Sequence, residues 1–134
     1  MSELKLATES HQNDIKRVVI IDDDESMLFL YKKMLRDSDY SLEAYSSYFD
    51  FEKEYSDVKL SEHFDLIISD IYMPDISGFE VLEKIKATDS QAKVVLISSF
   101  TEEDQVSRAL KSGALACVSK SFENVSKLIS KLID

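Results

Sequence analysis

Four stretches of the chain share one pattern: a short apolar run of β type ends on a polar side chain. The runs at residues 18–21, 66–69, 94–97 and 115–119 lead into Asp22 and Asp23, Asp70, Ser98, and Lys120, respectively. Such runs predict buried strands, and stretches with helical spacing separate them. In a parallel sheet with helical crossovers all strand C-termini lie on one edge, where ligands bind. The pattern therefore predicts a single site at that edge.

The periodicity as a whole predicts an α/β domain of five strands and five helices in strict alternation, and right-handed crossovers leave few topologies. Strands are expected at about residues 17–21, 41–45, 66–69, 94–98 and 115–119. Helices are expected at about 25–36, 50–58 and 79–87, from an N-cap at Thr101 to Gly113, and along the apolar stripe of 122–133. Residues 59–63 are predicted as a polar loop, 1–15 as a flexible tail and 16–134 as the domain.

Composition limits the classes of function. A chain of 134 residues suffices for one domain with a core and leaves no room for an output domain, so we expect a stand-alone unit or a fragment. The net charge of −10 disfavours nucleic acid or an anionic membrane as direct partner. A single cysteine excludes an internal disulfide framework and fits a reducing cytoplasm. The longest apolar runs fall far short of the roughly 20 residues of a membrane span.

The acids at the strand ends suit a divalent cation. Asp22 and Asp23 are adjacent carboxylates, which repel each other unless a cation holds them, and Asp70 adds a third carboxylate. Mg²⁺ prefers such oxygen ligands together with water and phosphate oxygens. The ordinary alternative is that the acids cap the next helix, a role we assign to Asp24 or Glu25.

Asp70 is also a candidate nucleophile. It precedes a loop that contains Pro74, the chain's only proline, and ends at Gly78, one of two glycines. A turn aspartate is the ordinary interpretation, but a carboxylate that attacks phosphorus forms an acyl phosphate. Ser98 and Lys120 could donate to the phosphoryl oxygens. No catalytic role is assigned to the two histidines, His11 and His63.

These motifs, in this order, resemble the receiver domain of two-component response regulators of the chemotaxis type, over residues 17–134. The resemblance rests on Asp22 and Asp23, Asp70, Met73 with Pro74, Ser77 with Gly78, Ser98, Gly113 with Ala114, and Lys120. It implies a flavodoxin-like doubly wound sheet of order 2-1-3-4-5.

The resemblance also implies the chemistry. Asp70 would accept a phosphoryl group from a histidine kinase or phosphotransfer protein, with no turnover of an external metabolite. Asp23 would bind Mg²⁺ directly, Asp22 through water, and the Tyr72 carbonyl would complete the protein ligands beside Asp70. Ser98 would hydrogen-bond the phosphoryl group and Lys120 would pair with it. An output protein would bind the face of the fourth predicted helix, the last strand and the last helix, and a phosphorylation-dependent dimer is compatible with this scheme.

Three positions depart from the family pattern. Ser121 follows Lys120 where the family usually has proline in an often cis bond, and a trans bond is expected here because a non-proline cis bond costs about 3 kcal/mol. Cys117 stands where the family often has an aromatic residue described as swinging inward on activation. Ser98 replaces the commoner threonine and keeps the hydroxyl.

Two other functions remain open at this point. One is a docking module of the same fold that works without phosphorylation, favoured by Ser121 and Cys117. The other is a small haloacid-dehalogenase-type phosphatase, since the acids at 22–24 fit its Asp-any-Asp signature, but only Glu123 and Asp134 follow Lys120 as further acids. We also expect Tyr72 and Phe100, each two residues beyond a site residue, to slow loss of the phosphoryl group by excluding water.

Overall fold

The computed structural model describes residues 16–36, 40–99 and 102–133. The expected tail, the Thr101 cap and Phe100 lie outside these residues. The five strands are β1 Lys16–Ile21, β2 Tyr40–Tyr45, β3 Leu66–Asp70, β4 Val94–Ser98 and β5 Ala116–Ser119. The helices are α1 Glu25–Leu35, α2 Tyr48–Glu54, α3 Leu60–His63, α4 Gly78–Thr88, α5 Glu103–Lys111 and α6 Phe122–Ile133.

The strands form one parallel sheet of order β2-β1-β3-β4-β5, as predicted. Alternate residues of each central strand pack against opposite layers, because successive side chains point to opposite faces. Val18, Ile20 and Ile68 pack with α1 and α6, whereas Val19 and Ile67 pack with the helices α2 to α5. The sheet is therefore buried on both faces, and its C-terminal edge remains available for a site.

The count of five helices was wrong, because the segment predicted as a polar loop contains the short helix α3. Lys59, at its N-cap, makes no side-chain cap. Instead the Asp89 carboxylate accepts a hydrogen bond of 2.9 Å from the Ser61 backbone N–H, and Leu60 is buried beneath the turn. The cap comes from a residue 28 positions away, so local sequence does not reveal it.

Two other helix starts differ from expectation. Helix α2 begins earlier than predicted because the Ser47 hydroxyl accepts a hydrogen bond of 3.2 Å from Phe49 N–H. Helix α5 has Glu102 as N-cap, in a capping box with Gln105, rather than the predicted threonine. Asp24 caps α1 through Met27 N–H, as one of the two assigned candidates. None of the described helices is long and apolar enough to cross a membrane.

Both glycines occupy positions that a side chain would disturb. A Cβ atom on Gly78 would lie 2.5 Å from the Asp70 carbonyl oxygen and 2.7 Å from Ile71 Cα. Gly113 follows α5 with φ of 106°, in the left-handed region typical of a helix C-terminus. Gly78 thus allows α4 to start directly against the end of β3.

We expect Gly78→Ala to lower the free energy of unfolding by about 2 to 3 kcal/mol, because backbone atoms must move to admit the methyl group. Gly113→Ala is the matched control and should cost about 1 kcal/mol, mainly through its backbone conformation, since its Cβ would meet only the flexible Lys86 side chain at 3.3 Å. Urea denaturation measures both. Amide NMR shifts of residues 70–72 should change in Gly78→Ala and not in the control; unchanged shifts would contradict the close approach.

Candidate functional site

Strand register brings the predicted acids together. Ile21 pairs with Ser69 across β1 and β3, so the next residues, Asp22 and Asp70, lie level at the sheet edge. Both side chains are buried, with 0% of Asp22 and 5% of Asp70 exposed. Asp23 is exposed at the rim. Carboxylate oxygens of these three residues all lie within 4.8 Å of one another.

Lys120 lies between the buried acids. Its Nζ is 2.8 Å from Asp22 Oδ2, 3.0 Å from Asp22 Oδ1 and 3.3 Å from Asp70 Oδ2. Asp24 Oδ2 lies at 4.0 Å, a further neighbour that the sequence analysis placed only in the helix cap. Only 10% of the lysine side chain is exposed. Because β5 ends beside β4, Lys120 N–H donates to the Ser98 carbonyl, which fixes the base of the side chain.

The donor set fits a divalent cation. Asp22 Oδ2 is buried and accepts no well-directed hydrogen bond from the described residues, although Lys120 Nζ is nearby. Asp22 Oδ1, in contrast, is engaged by Asp24 N–H at 2.9 Å. One buried oxygen therefore keeps acceptor capacity, and the exposed Asp23 opens the cluster to water. Hard oxygen donors with access to water are the ligands that Mg²⁺ prefers.

Burial and the neighbouring charges have opposing effects on the pKa values of Asp70 and Lys120. Burial, followed by the negative charge of Asp22, raises the pKa of Asp70 to about 6, although Lys120 acts in the opposite direction. Burial opposes the charge on Lys120, but its hydrogen bond and attraction to Asp22, with Asp70, raise the lysine pKa overall. Lys120 is therefore protonated, and Asp70 takes up a proton more readily than an ordinary aspartate.

A buried tyrosine of α1 lies near enough to the acids to be influenced by their charge. Tyr31 of α1 is fully buried, and its pKa is raised to about 12, first by burial and then by the charge of Asp22. Its ring thus belongs to both the core and the surroundings of the acids. Helical spacing predicts burial but gives no sign of which buried residue lies below a strand end.

Backbone hydrogen bonds hold both ends of the loop after Asp70. Ile71 N–H donates to the Ile97 carbonyl at 2.8 Å, and Gly78 N–H donates to the Ile71 carbonyl at 2.7 Å. Between these anchors Tyr72 is 56% exposed, and its hydroxyl accepts a hydrogen bond from Gln105 Nε2 of α5. Sequence analysis did not single out Gln105; the Glu102-x-x-Gln105 spacing of a capping box was its one signal.

The remaining predicted residues lie at the same edge or outside it. Ser98 is fully buried at the end of β4 and pairs in register with Ser119. The Lys120–Ser121 bond is trans, as expected, and the Ser121 hydroxyl accepts a hydrogen bond of 3.1 Å from Asn124 N–H at the start of α6. His63 lies away from the acids, with Arg17 Nη2 2.9 Å from its Nε2.

We expect Asp70→Asn to stabilise the fold at pH 7.5 by about 1 to 3 kcal/mol in buffer without divalent cations. Since the folded-state pKa of Asp70 is raised, its contribution to stability is present below its ordinary value near 3.8 and is lost as pH rises through about 6. The gain should therefore vanish near pH 4. Urea denaturation at both pH values measures it, with exposed Asp57→Asn as control. An equal gain at both pH values would contradict the assignment.

Comparisons with known proteins agree with this architecture. The family model of the response regulator receiver domain matches residues 18–133. Chemotaxis protein CheY of Listeria monocytogenes is 32% identical over 108 residues, which cover 80% of this chain and 87% of that protein. A CheY-like receiver domain of Methanospirillum hungatei JF-1 superposes with a TM-score of 0.76 at 24% identity, covering 90% of this chain and 94% of that one.

A solution structure of the beryllofluoride-activated NtrC4 receiver domain dimer also superposes on this fold, with a TM-score of 0.76 at 25% identity. The match covers 87% of this chain and 95% of that chain. The family model matches most of the chain, and the five-stranded order agrees with the receiver fold. The chain therefore belongs to the response regulator receiver domain family of two-component systems.

Proposed function

We propose that Asp70 is the phosphoacceptor of this receiver domain. The observation that carries the proposal is the placement of Lys120 between Asp22 and Asp70, beside a third carboxylate. In the transfer, an ionised Asp70 oxygen attacks phosphorus while the bond to the phosphohistidine nitrogen of a histidine kinase or phosphotransfer protein breaks. The product is an acyl phosphate, and the histidine leaves as a neutral imidazole once it gains a proton.

Charge balance explains why the site needs a cation. Three ionised carboxylates and one ammonium leave a local charge of about −2, and conversion of the Asp70 carboxylate into a doubly charged acyl phosphate makes it about −3 at neutral pH. Asp22, Asp23 and Asp70, with the Tyr72 carbonyl, would hold Mg²⁺. The ion would neutralise phosphoryl charge and position the oxygens of the transferred group.

The chain's own residues would supply the rest. Lys120 is already desolvated and oriented by its backbone hydrogen bond to Ser98, so it can pair with a phosphoryl oxygen without being newly immobilised. The Ser98 hydroxyl would donate to another phosphoryl oxygen. Asp22 would keep Lys120 charged, since their hydrogen bond raises the lysine pKa against burial.

The face formed by α5, β5 and α6 is the proposed output surface. Leu110 near the end of α5 and Leu115 just before β5 are 49% and 45% exposed. Exposed leucines on a domain with many acidic residues give a protein partner an apolar contact. A phosphorylation-dependent dimer would be another use of this face.

A docking role without phosphorylation is the second candidate. Cys117 is buried within the core on the α2–α5 side, so β5 has no aromatic side chain at this position to move on activation. The haloacid-dehalogenase-type phosphatase fits poorly, because it needs further acids after the lysine. Glu123, one of the two acids that follow Lys120, lies on exposed α6 and pairs with Lys127 at 3.0 Å. Magnesium uptake by the acids separates a phosphoacceptor from a docking module.

The direct test is phosphorylation with acetyl phosphate, with and without Mg²⁺. We expect the wild-type protein to gain one base-labile phosphoryl group, detected by intact-protein mass spectrometry, only when Mg²⁺ is present. Asp70→Asn should gain none, and Asp57→Asn, an exposed control, should match the parent. An acyl phosphate on Asp70→Asn would show that another residue accepts the phosphoryl group.

The metal set is tested by titrating Mg²⁺ into two single variants. Asp23→Ala should weaken Mg²⁺ binding more than Asp22→Ala if Asp23 is the direct ligand. Asp22→Ala should instead cost stability, because it removes a partner from buried Lys120, a loss of about 3 kcal/mol. The reverse order of Mg²⁺ affinities would overturn the choice of direct ligand.

The lifetime of the acyl phosphate should depend on the Tyr72 ring. Attack by water needs a near-in-line approach, so a ring beside the acceptor slows hydrolysis. Tyr72→Asn should decay about threefold faster or more, alone or combined with Phe100→Glu, whereas Tyr72→Phe keeps the ring and should stay closer to the parent. Decay followed by mass spectrometry decides; equal rates in parent and Tyr72→Asn would show that the ring gives no shielding.

A further inference from the structure

Two contacts join α5 to the loop after Asp70 and to the helix that follows it. Near the start of the loop, the Tyr72 hydroxyl accepts a hydrogen bond from Gln105. Beyond its end, the guanidinium of Arg108 lies 4.0 Å from the centre of the Phe79 ring. Gln105 and Arg108 are three positions apart, so they share one face of α5. One helical face therefore contacts both the loop and the first turn of α4.

Gln105 has a second role at the same time. Its Oε1 accepts a hydrogen bond of 3.3 Å from Glu102 N–H, as part of the capping box that starts α5. A single side-chain amide thus uses its oxygen for the helix cap and its nitrogen for Tyr72. Because the two groups belong to one planar amide, a displacement of Tyr72 pulls directly on the first turn of α5.

The space around this connection is open to solvent. A groove of about 370 Å³ lies between the loop and α5, lined by Ile71, Tyr72, Ser77, Phe79, Asp104, Gln105 and Arg108. The described contacts across it that involve polar groups are the two just given. Breaking the Tyr72–Gln105 hydrogen bond would not open the core, since Tyr72 is 56% exposed and Gln105 belongs to neither buried cluster. The connection can therefore change without unfolding the domain.

The position of the loop makes this connection sensitive to Asp70. The Asp70 carbonyl lies directly against Gly78, and Tyr72 is two residues along the chain from Asp70. Between them, Ile71 is fixed to β4 through its N–H. A new charge on the Asp70 side chain must be accommodated by its neighbours, and Tyr72 is the exposed one that reaches another element.

We propose that Gln105 is a positioning residue that transmits the state of the Asp70 loop to the first turn of α5 through the Tyr72 hydroxyl. This inference rests on the proposed function, because it concerns the response to a phosphoryl group at Asp70. In this chain the response to a phosphoryl group would pass through the groove between the Asp70 loop and α5. Cys117 of β5 is small and buried and has no aromatic ring that could carry the response.

The test compares amide hydrogen exchange of residues 102–112 with and without beryllofluoride and Mg²⁺, at equal occupancy measured by fluorine-19 NMR. The variants are Gln105→Ala, Tyr72→Phe and the double variant. Gln105→Glu is the rescue, because its carboxylate can still accept from Glu102 N–H and can accept from the Tyr72 hydroxyl. Ser107→Ala, on α5 outside the groove, is the matched control.

We expect beryllofluoride to change exchange at the start of α5 in the parent protein. Gln105→Ala and Tyr72→Phe should each lose about half or more of that change, and the double variant should lose no more than Gln105→Ala, because both remove one interaction. Gln105→Glu should recover most of the response while Tyr72 is retained, and none when it is combined with Tyr72→Phe. The control should respond as the parent does.

Three results would overturn the inference. A full response in Tyr72→Phe with loss in Gln105→Ala would reduce Gln105 to a helix cap. If the parent protein binds beryllofluoride by fluorine-19 NMR but amide exchange in α5 does not change, the loop does not act on α5, and the proposed phosphoacceptor is unaffected. Failure of the parent to bind beryllofluoride with Mg²⁺ would count against the phosphoacceptor itself, and this inference would fall with it.

Discussion

The contact of Lys120 with Asp22 and Asp70 is the interaction on which the site depends. Two carboxylates are buried side by side, with 0% and 5% exposure, and a lone ionised acid in such a position carries a desolvation cost of several kcal/mol. The ammonium at 2.8 Å and 3.3 Å offsets that cost only partly, as the raised pKa of Asp70 shows. With three carboxylates and one ammonium the cluster keeps excess negative charge, which suits the proposed cation-assisted phosphoacceptor.

The fold could be predicted from sequence wherever residues adjacent along the chain determine the local structure. The apolar run of β4, Val94–Ser98, has the predicted bounds because both faces of a central parallel strand are buried. The short helix α3 was missed because its cap, Asp89, acts through space on Ser61. The early start of α2 was a different kind of error, because Ser47 is a local N-cap signal that the prediction did not use.

The candidate site was accessible for a topological reason. Strand ends of a parallel sheet meet at one edge, so the fold class alone groups the residues after β1, β3 and β5. The direction in which a helical side chain points could not be predicted in this way. Tyr31 below the acids and Gln105 against Tyr72 each depend on how a helix is rotated and placed over the sheet, and helical periodicity fixes only which face is buried.

Replacement of a family proline by Ser121 illustrates how a local departure can leave the site intact. The Ser121 hydroxyl accepts from Asn124 N–H and the Lys120–Ser121 bond is trans, while Lys120 N–H still reaches the Ser98 carbonyl. The backbone anchor of the lysine therefore comes from pairing between β4 and β5 and does not require proline. Under the proposed function, a phosphoryl group at Asp70 would act on two differently held groups: Lys120, fixed to the sheet, and the loop that reaches α5 across a groove. Because the sheet is densely packed and the groove is not, the second should move more for the same force.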